Sequence, residues 1–355
     1  MTTAEHEITG PVDLCLPDGR LNPDAVGWSR RPWQRTNLRG WGRTKRWEYW
    51  CVTTPTHLIA LTVSDLDLFS LDAVYFLAFD DDAVTYEVER TSILPPRGVR
   101  LPDSITGVAG PDGTPGRSLA VGPERPTRGK VRVEIHAEPG GATRLRARCL
   151  TPDRRPLEAD LVVAAPTGHE TMNVVVPWDD RRFQFTSKQT ALPASGTVRV
   201  GDEVYAFGTD TWATLDHGRG RWPRRITWNW GAASGMCGDH EVGLQFGGKW
   251  TAGTGSTENA LCVDGRLSKL GGELEWTYDS TDFLKPWTVR TTDSDQVDVT
   301  FTPFHNRHAH TDAKLIANRA DQCFGRYTGR IRTDDGETVE VDGLLGWAEE
   351  VDMRW

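Results

Sequence analysis

The sequence predicts an all-β protein of two antiparallel barrel or sandwich halves, with a ligand pocket in or between them. Three observations predict it. Apolar and polar residues alternate with period two along most of the chain. Turn residues punctuate those runs at short spacing. No long amphipathic helical pattern occurs, and the best helical window, TDAKLIANRADQ at 311–322, is weak.

The elements follow in order. HLIALTV from His57, AVYFLAF from Ala73 and VTYEVER from Val84 open the set. In KVRVEIHAE (130–138), Val131, Val133, Ile135 and Ala137 share one face, and Lys130, Arg132, Glu134, His136 and Glu138 share the other. After a Pro-Gly-Gly turn, RLRARCL sets Leu145, Ala147 and Cys149 inward, a hairpin with one wet face. LVVAA from Leu161, MNVVV from Met172, RVGDEVYAF from Arg199 and RITWNW from Arg225 continue the pattern. EVGLQFGG from Glu241, ALCVDGRLSKL from Ala260, LEWTYD from Leu274, VDVTFTP from Val297, FGRYTGRIR from Phe324 and ETVEVDGLLG from Glu337 complete it. Gly201-Asp202, Asp264-Gly265 and Asp335-Gly336 supply turns, the last two as Asp-Gly hairpin signals. Residues 91–128 are Pro/Gly-rich and read as a long loop. SKQTALPASGT (187–197) separates two β-rich stretches of similar size, so the expected domains are 1–190 and 191–355. The absence of a short tandem repeat argues against propellers and solenoids.

Charge and cysteine usage narrow the function classes. With 41 Lys and Arg against 50 Asp and Glu, the net charge of −9 disfavours a nucleic-acid partner. MTTAEHEITG has no basic region followed by an apolar run, and no stretch reaches 18 apolar residues. The expectation is a cytoplasmic protein without a membrane span. Cys15, Cys51, Cys149, Cys237, Cys262 and Cys323 are scattered and lack CxxC spacing, which fits buried thiols of a reducing compartment.

Residues 210–259 differ from the rest. Trp212, Trp222, Trp228, Trp230 and Trp250 gather there among glycines and charged residues, more indoles than a core easily buries with every N–H satisfied. Such residues build either a core or the wall of an apolar ligand cavity. If RITWNW is a strand, Trp228 and Trp230 share one face, and Asn229 lies on the other. The glycines of GLQFGGKW mark bulges or a backbone that another group approaches closely. Glu258, Asp216 and His217 are the candidate catalytic residues, the carboxyls as acids if burial raises their proton affinity. Arg219 could hold one carboxylate ionised, and Asn259, Gln245 or His217 could position water. The competing readings are a capped turn at Asp216 and a solvated edge at Glu258. KRWEYW (45–50) presents Lys45, Trp47 and Tyr49 on one face, toward an interdomain cleft or toward solvent. Trp347 and Trp355 are expected to close a barrel or pack at the domain contact. In FHNRHAH, His308 and His310 share a face with Asp312 and could bind a metal, but the pattern lacks a recognised ligand spacing; no metal is assigned, and metal binding by His305, His308 and His310 stays open beside a solvated loop or packed histidines. No GK[ST] loop, G-x-G-x-x-G run or G-x-S-x-G elbow occurs, so no cofactor is expected.

Several segments resemble one family throughout. LCLPDGRLNPDAVGWSRRPW and GRTKRWEYW near the start are similar to DUF2804 proteins. So are DHGRGRWP, TWNWG and GLQFGGKWTAGTGSTENALCVDG in the middle, and CFGRYTGRI and DDGETVEVDGLLGWAEEV at the end. More distantly, the chain resembles the two-barrel lipocalin-like proteins that include carotenoid 1,2-hydratase (hydroxyneurosporene synthase) and the AttH group. That resemblance implies two lipocalin-like halves, and it carries architecture rather than mechanism.

Three functions fit these residues. The first is a cofactor-free acid–base enzyme that protonates a C=C bond of an isoprenoid-like or polycyclic substrate, followed by hydration or cyclisation. The second is a non-catalytic carrier or sensor of a small apolar molecule. The third is a carbohydrate-active protein using tryptophans and paired carboxylates.

Overall fold

The computed structural model describes residues 5–95, 99, 101–103, 105, 119–313 and 316–354. Trp355 and much of the expected loop at 91–128 lie outside them. The described ends of that loop are the strands Ala83–Leu94 and Leu119–Val121.

Among the described residues, two large antiparallel sheets contain nearly all the regular structure. The first runs in the order Ala83–Leu94, Ser70–Asp80, His57–Asp65, Thr44–Thr53, Trp212–Arg221, Phe183–Val200, Pro156–Val163, Thr143–Leu150, Val131–Ala137 and Leu119–Val121, with short flanking strands. It curls until Val131–Ala137 meets His57–Asp65 and Ser70–Asp80. The second runs Arg266–Leu270, Asn259–Val263, His240–Gly248, Arg225–Cys237, Thr338–Arg354, Ile316–Arg332, Val297–Ala313, Trp287–Thr291 and Leu274–Thr277. It curls so that His240–Gly248 meets Leu274–Thr277. The architecture is the expected all-β, two-half one. The weak helical window at 311–322 belongs to the Val297–Ala313 and Ile316–Arg332 hairpin.

Local chemistry explains these strands. The 130–150 hairpin forms in the anticipated register, with Val131, Val133, Ile135, Leu145, Ala147 and Cys149 all buried. At Asp264-Gly265 both residues adopt positive φ, 50° and 75°, the turn that Asp-Gly favours between Asn259–Val263 and Arg266–Leu270. The expected division at 190/191 falls inside a single long strand, Phe183–Val200. Ser, Pro and Gly made that stretch read as a separator. A bulge between Gln189 and Leu192, with Ala191 at φ 54°, instead bends the strand and lets it continue. The chain passes from the first large sheet to the second between Arg221 and Arg225.

Each half fills its own interior. Trp50, Ile59, Leu61, Val74, Phe76, Phe183, Phe185 and Leu215 belong to the first core, and Val242, Leu244, Phe246, Trp287, Phe301 and Tyr327 to the second. A third apolar cluster joins the halves. Tyr49, Cys51, Tyr75 and Leu77 of the first half meet Trp230, Phe324 and Trp347 of the second. Tyr75 stacks on Phe324 with centroids 5.6 Å apart and planes 8° apart, and Trp230 meets Trp347 edge to face at 5.1 Å. All six cysteines are buried and unpaired. Among the described residues no helix is long and apolar enough to cross a membrane.

Phe324 is fully buried at this junction. Phe324→Ala is expected to cost about 3–5 kcal/mol, read as a lowered urea midpoint. An unchanged midpoint would show that the junction adds nothing to stability.

Candidate functional site

Because large side chains fill both interiors, the open space lies at the seam, where strand alternation turns one face of each sheet toward the other. A cavity of about 530 Å³ opens there beside the Tyr49–Trp230–Trp347 cluster. From the first half, Phe183–Val200 contributes Gln184, Thr186 and Lys188, while Phe183 and Phe185 point into the filled interior. Thr44–Thr53 contributes Lys45, Trp47 and Tyr49, and Trp212–Arg221 contributes Asp216. From the second half come Trp228, Trp230, Trp250, Glu258, Gln322 and Glu349. Trp222 stands between the two sheets. It meets Trp47 and Trp228 edge-on at 5.3 and 5.8 Å.

Lys188 is the centre of the charged cluster. It sits directly opposite Asp216 across the strand pair. Its Nζ lies 3.1 Å from Asp216 Oδ2 and 3.4 Å from Glu258 Oε2, and 4.1 Å from the Trp230 ring centroid. Burial works against the ammonium, but the charges of Asp216 and Glu258 outweigh it and hold the proton on Lys188 more firmly than usual.

The carboxyls carry the opposite imbalance. Glu258 is buried; Trp250 Nε1 donates to its Oε1 at 2.5 Å, and Gly247 gives it room. A Cβ at Gly247 would fall 2.2 Å from Glu258 Cγ, so this glycine answers to the close approach its sequence context indicated. Burial raises the Glu258 pKa, and Lys188 only partly opposes it. Glu349 accepts from Trp228 Nε1 at 2.8 Å and Gln322 Nε2 at 3.0 Å. Burial pushes its pKa up to about 7 against the Trp228 hydrogen bond and the charges of Lys188 and Arg307, with Asp216 adding to the rise. Three carboxyls thus meet one ammonium, and a carboxyl in this cavity retains a proton near neutrality.

Strand geometry sorts the other candidates. Asp216 and His217 are sequence neighbours on opposite faces. His217 lies fully buried in the first half, away from the cavity, with Glu48 Oε1 3.6 Å from its Nδ1. Burial, followed by the Arg219 charge, lowers its pKa to about 4, so the ring is neutral there. Arg219 points the same way and pairs with Glu48 at 3.4 Å, not with Asp216 or Glu258. Neither His217 nor Arg219 serves the cavity, because alternation carries both through the sheet. Trp212 shares the Asp216 face but starts the strand four residues away, near Gly235, outside the cavity. Asn229 turns from Trp228 and Trp230 to bond Tyr278 and the Glu349 carbonyl, lining a separate shallow cavity. Gln245 stands behind Trp230, accepting its indole N–H at 3.0 Å. Asn259 holds the backbone, accepting from Gly247 N and donating to Gly272 O. His308 pairs with Asp321 and His305 faces Tyr75 and Glu87, while the Asp312 side chain lies outside the described residues. Among the described residues, no group of three or more His, Cys, Asp or Glu is arranged to hold a metal.

Lys188, Gln322 and Glu349 escaped the sequence reading. Lys188 lies in the stretch that read as a separator. Its signal was the alternation of Gln184, Thr186 and Lys188 against Phe183 and Phe185. Glu349 had the same kind of signal, sharing a face with Trp347 and Val351 and alternating with Ala348 and Glu350 in WAEEV.

The family model for the domain of unknown function DUF2804 matches residues 5–355. The chain belongs to the DUF2804 family. Curated proteins offer no match to this DUF2804 sequence. Among solved structures, it is similar to kievitone hydratase from Nectria haematococca, at 11% identity over 88% of each chain and a TM-score of 0.48. It is similar to CghA at 12% identity over 88% of each chain, with a TM-score of 0.47. An AttH-type protein from Nitrosomonas europaea is similar at 12% identity over 88% of this chain and 92% of its own, with a TM-score of 0.43.

Two outcomes test the charge inventory without a substrate. Infrared difference spectra are expected to show a protonated carboxyl band that fades as pH rises through about 7 and is absent from Glu349→Gln. Lys188→Met leaves Asp216 and Glu258 without their ammonium and is expected to destabilise by about 3–5 kcal/mol at neutral pH. Glu258, whose pKa burial already raises, then loses the charge that opposed the rise, so its folded pKa stands further above its unfolded one. The loss is therefore smaller at pH 5 and grows toward pH 8 in denaturant titrations. A deficit independent of pH would contradict the assignment.

Proposed function

We propose that this chain is an acid–base enzyme acting on an apolar, isoprenoid-like or polycyclic substrate. It protonates a C=C bond and lets water or a second C=C capture the resulting cation. The observation that carries this reading is the charge imbalance at one end of the cavity: Asp216, Glu258 and Glu349 gather around the ammonium of Lys188, while the nearby Arg307 is paired with Glu89. A passive carrier has no need of a proton-holding acid facing its indoles.

The chemistry uses these groups in turn. Glu349, or Glu258 as the second acid, gives its proton to one olefinic carbon. The carboxyl O–H breaks, and the π pair forms the new C–H bond. The cation left on the other carbon lies among the indoles of Trp47, Trp222 and Trp228, whose faces favour positive charge. Trp230 is less available, because Lys188 already lies over its ring. In hydration, water forms the C–O bond and its proton returns to a carboxylate. In cyclisation, a second π bond forms C–C, and loss of a neighbouring C–H proton restores the acid.

The pH dependence has a definite sign. The Glu349 pKa is raised, so its proton is present below about 7 and lost above it. Acid-driven turnover is therefore expected to fall as pH rises through that value. Native mass spectrometry with solvent extraction identifies what the purified protein retains. That compound is then incubated with the protein in D₂O. The expected product carries deuterium on carbon, and Glu349→Gln is expected to lower kcat about 100-fold or more. An exchanged but chemically unchanged ligand without deuterium would replace the enzyme by a carrier. Full turnover by both Glu349→Gln and Glu258→Gln would remove the carboxylic acids from the mechanism.

A further inference from the structure

One end of the first sheet combines exposed apolar side chains with exposed arginines. Register sets Arg221 opposite Thr44, Asp65 opposite Ser70, and Ser70 opposite Leu94. The connections 39–43, 66–69 and 222–224 therefore share that end. Thr44 N–H donates to Asp67 Oδ2, and Trp222 N–H donates to the Arg43 carbonyl, which ties the three together. Trp41 is 54% exposed between Gly40 and Gly42, at φ 96° and 97°, and Leu68 is 45% exposed. Ile93, next to the last residue of Ala83–Leu94, is 66% exposed and lines the cavity, as do Leu66, Leu71 and Trp222. Three of the seven exposed large apolar side chains among the described residues thus lie at this end. The charge is equally local. From Ala25 to Trp47 the chain carries seven Lys and Arg and no Asp or Glu, although its net charge is −9. Arg30, Arg35 and Arg46 face carboxylates. Arg39, Arg43 and Arg224 are exposed and have no ion pair among the described residues. The nearby acids are engaged: Asp65 and Asp67 are buried beside Arg46, and Asp18 pairs with Arg20.

We propose that this end docks on an anionic lipid surface, with Trp41, Leu68 and Ile93 entering the headgroup layer and Arg39, Arg43 and Arg224 pairing with acidic headgroups. Charge complementarity argues for that partner. An acidic chain is repelled by an anionic surface except where a basic patch faces it. An indole suits the boundary between headgroups and acyl chains. Leu and Ile side chains gain by leaving water for lipid, whereas they offer a nucleic acid no ring on which to stack its bases. The inference goes beyond the acid–base reading and rests on it only for a purpose. An apolar substrate dissolved in a bilayer would reach the cavity along Ile93 and its cross-strand neighbour Leu71 without crossing water.

Cosedimentation with phosphatidylcholine vesicles, with and without about 30% phosphatidylglycerol, tests this. The protein is expected to bind the anionic vesicles about tenfold or more tighter than the neutral ones, and less tightly as salt rises from about 50 to about 300 mM. The triple variant Arg39→Gln, Arg43→Gln, Arg224→Gln is expected to weaken anionic-vesicle binding about 100-fold, and Trp41→Ala about tenfold. All four side chains are exposed, so both variants are expected to keep the wild-type urea midpoint. No binding to anionic vesicles, equal binding to neutral ones, or binding that the triple variant leaves intact would overturn the proposal. Binding that Trp41→Ala leaves unchanged would also overturn it, and equal affinity for heparin would then assign the arginines to a soluble polyanion. Each of these outcomes leaves the cavity and its acids standing, because neither variant alters a residue that lines the cavity.

Discussion

The buried ammonium of Lys188 is the constraint on which the site depends. An isolated charge at that depth is costly, and only close opposite charge offsets it. Asp216 is supplied by register on the neighbouring strand, and Glu258 comes from the other half of the molecule. The ion cluster therefore ties the two sheets together through charge as well as through the Tyr75–Phe324 stack. Two carboxylates already exceed the one ammonium in the ionised state, and Glu349 widens the imbalance. Neutrality is reached by retaining protons on carboxyls. A structural need to avoid uncompensated charge and a chemical capacity to donate a proton have the same origin.

Placement of the cavity follows from packing. A small curled sheet can keep a hollow interior only if its inward residues are small or few. Here both interiors receive large side chains such as Phe183, Phe185, Phe246 and Trp287. The outward faces are left to meet each other. Two curved surfaces touch at Tyr49, Trp230 and Trp347 and leave a cavity beside that contact, whose lining includes the exposed Ile93. The gap they leave is lined by alternate residues of many strands. Local glycines set its finer shape. Gly218 lets the Trp47 ring lie on the backbone, since a Cβ there would fall 2.1 Å from the indole.

Much of this was legible in the sequence because period two is a local property. The 130–150 hairpin, the Asp-Gly turn at 264–265 and the shared face of Trp228 and Trp230 all follow from neighbouring residues. Four of the five clustered tryptophans line the cavity, as do Glu258 and Asp216. The failures have one physical cause each. His217 and Arg219 were grouped with Asp216 by proximity in sequence, although a strand sends successive residues to opposite faces. The division at 190/191 trusted Pro and Ser over alternation, and a bulge let the strand run on. The face of Glu349 was legible in WAEEV, but its pairing was not, because Lys188 lies 161 positions away.

The indoles act twice in this arrangement, and that links binding to protonation. Trp250 and Trp228 are walls of the cavity, and their N–H groups also hold Glu258 and Glu349 in place. The acids are thus fixed by the same residues that an apolar ligand would touch. Such a ligand displaces water from the carboxyls it covers, which penalises their ionised form further and raises their proton affinity. By linkage, a protonated carboxyl must favour the apolar ligand by the same factor. Filling the cavity and loading the acid are then one coupled step. Because Lys188 keeps its own proton throughout, the proton that becomes available resides on a carboxyl at the wall rather than on the ammonium behind it.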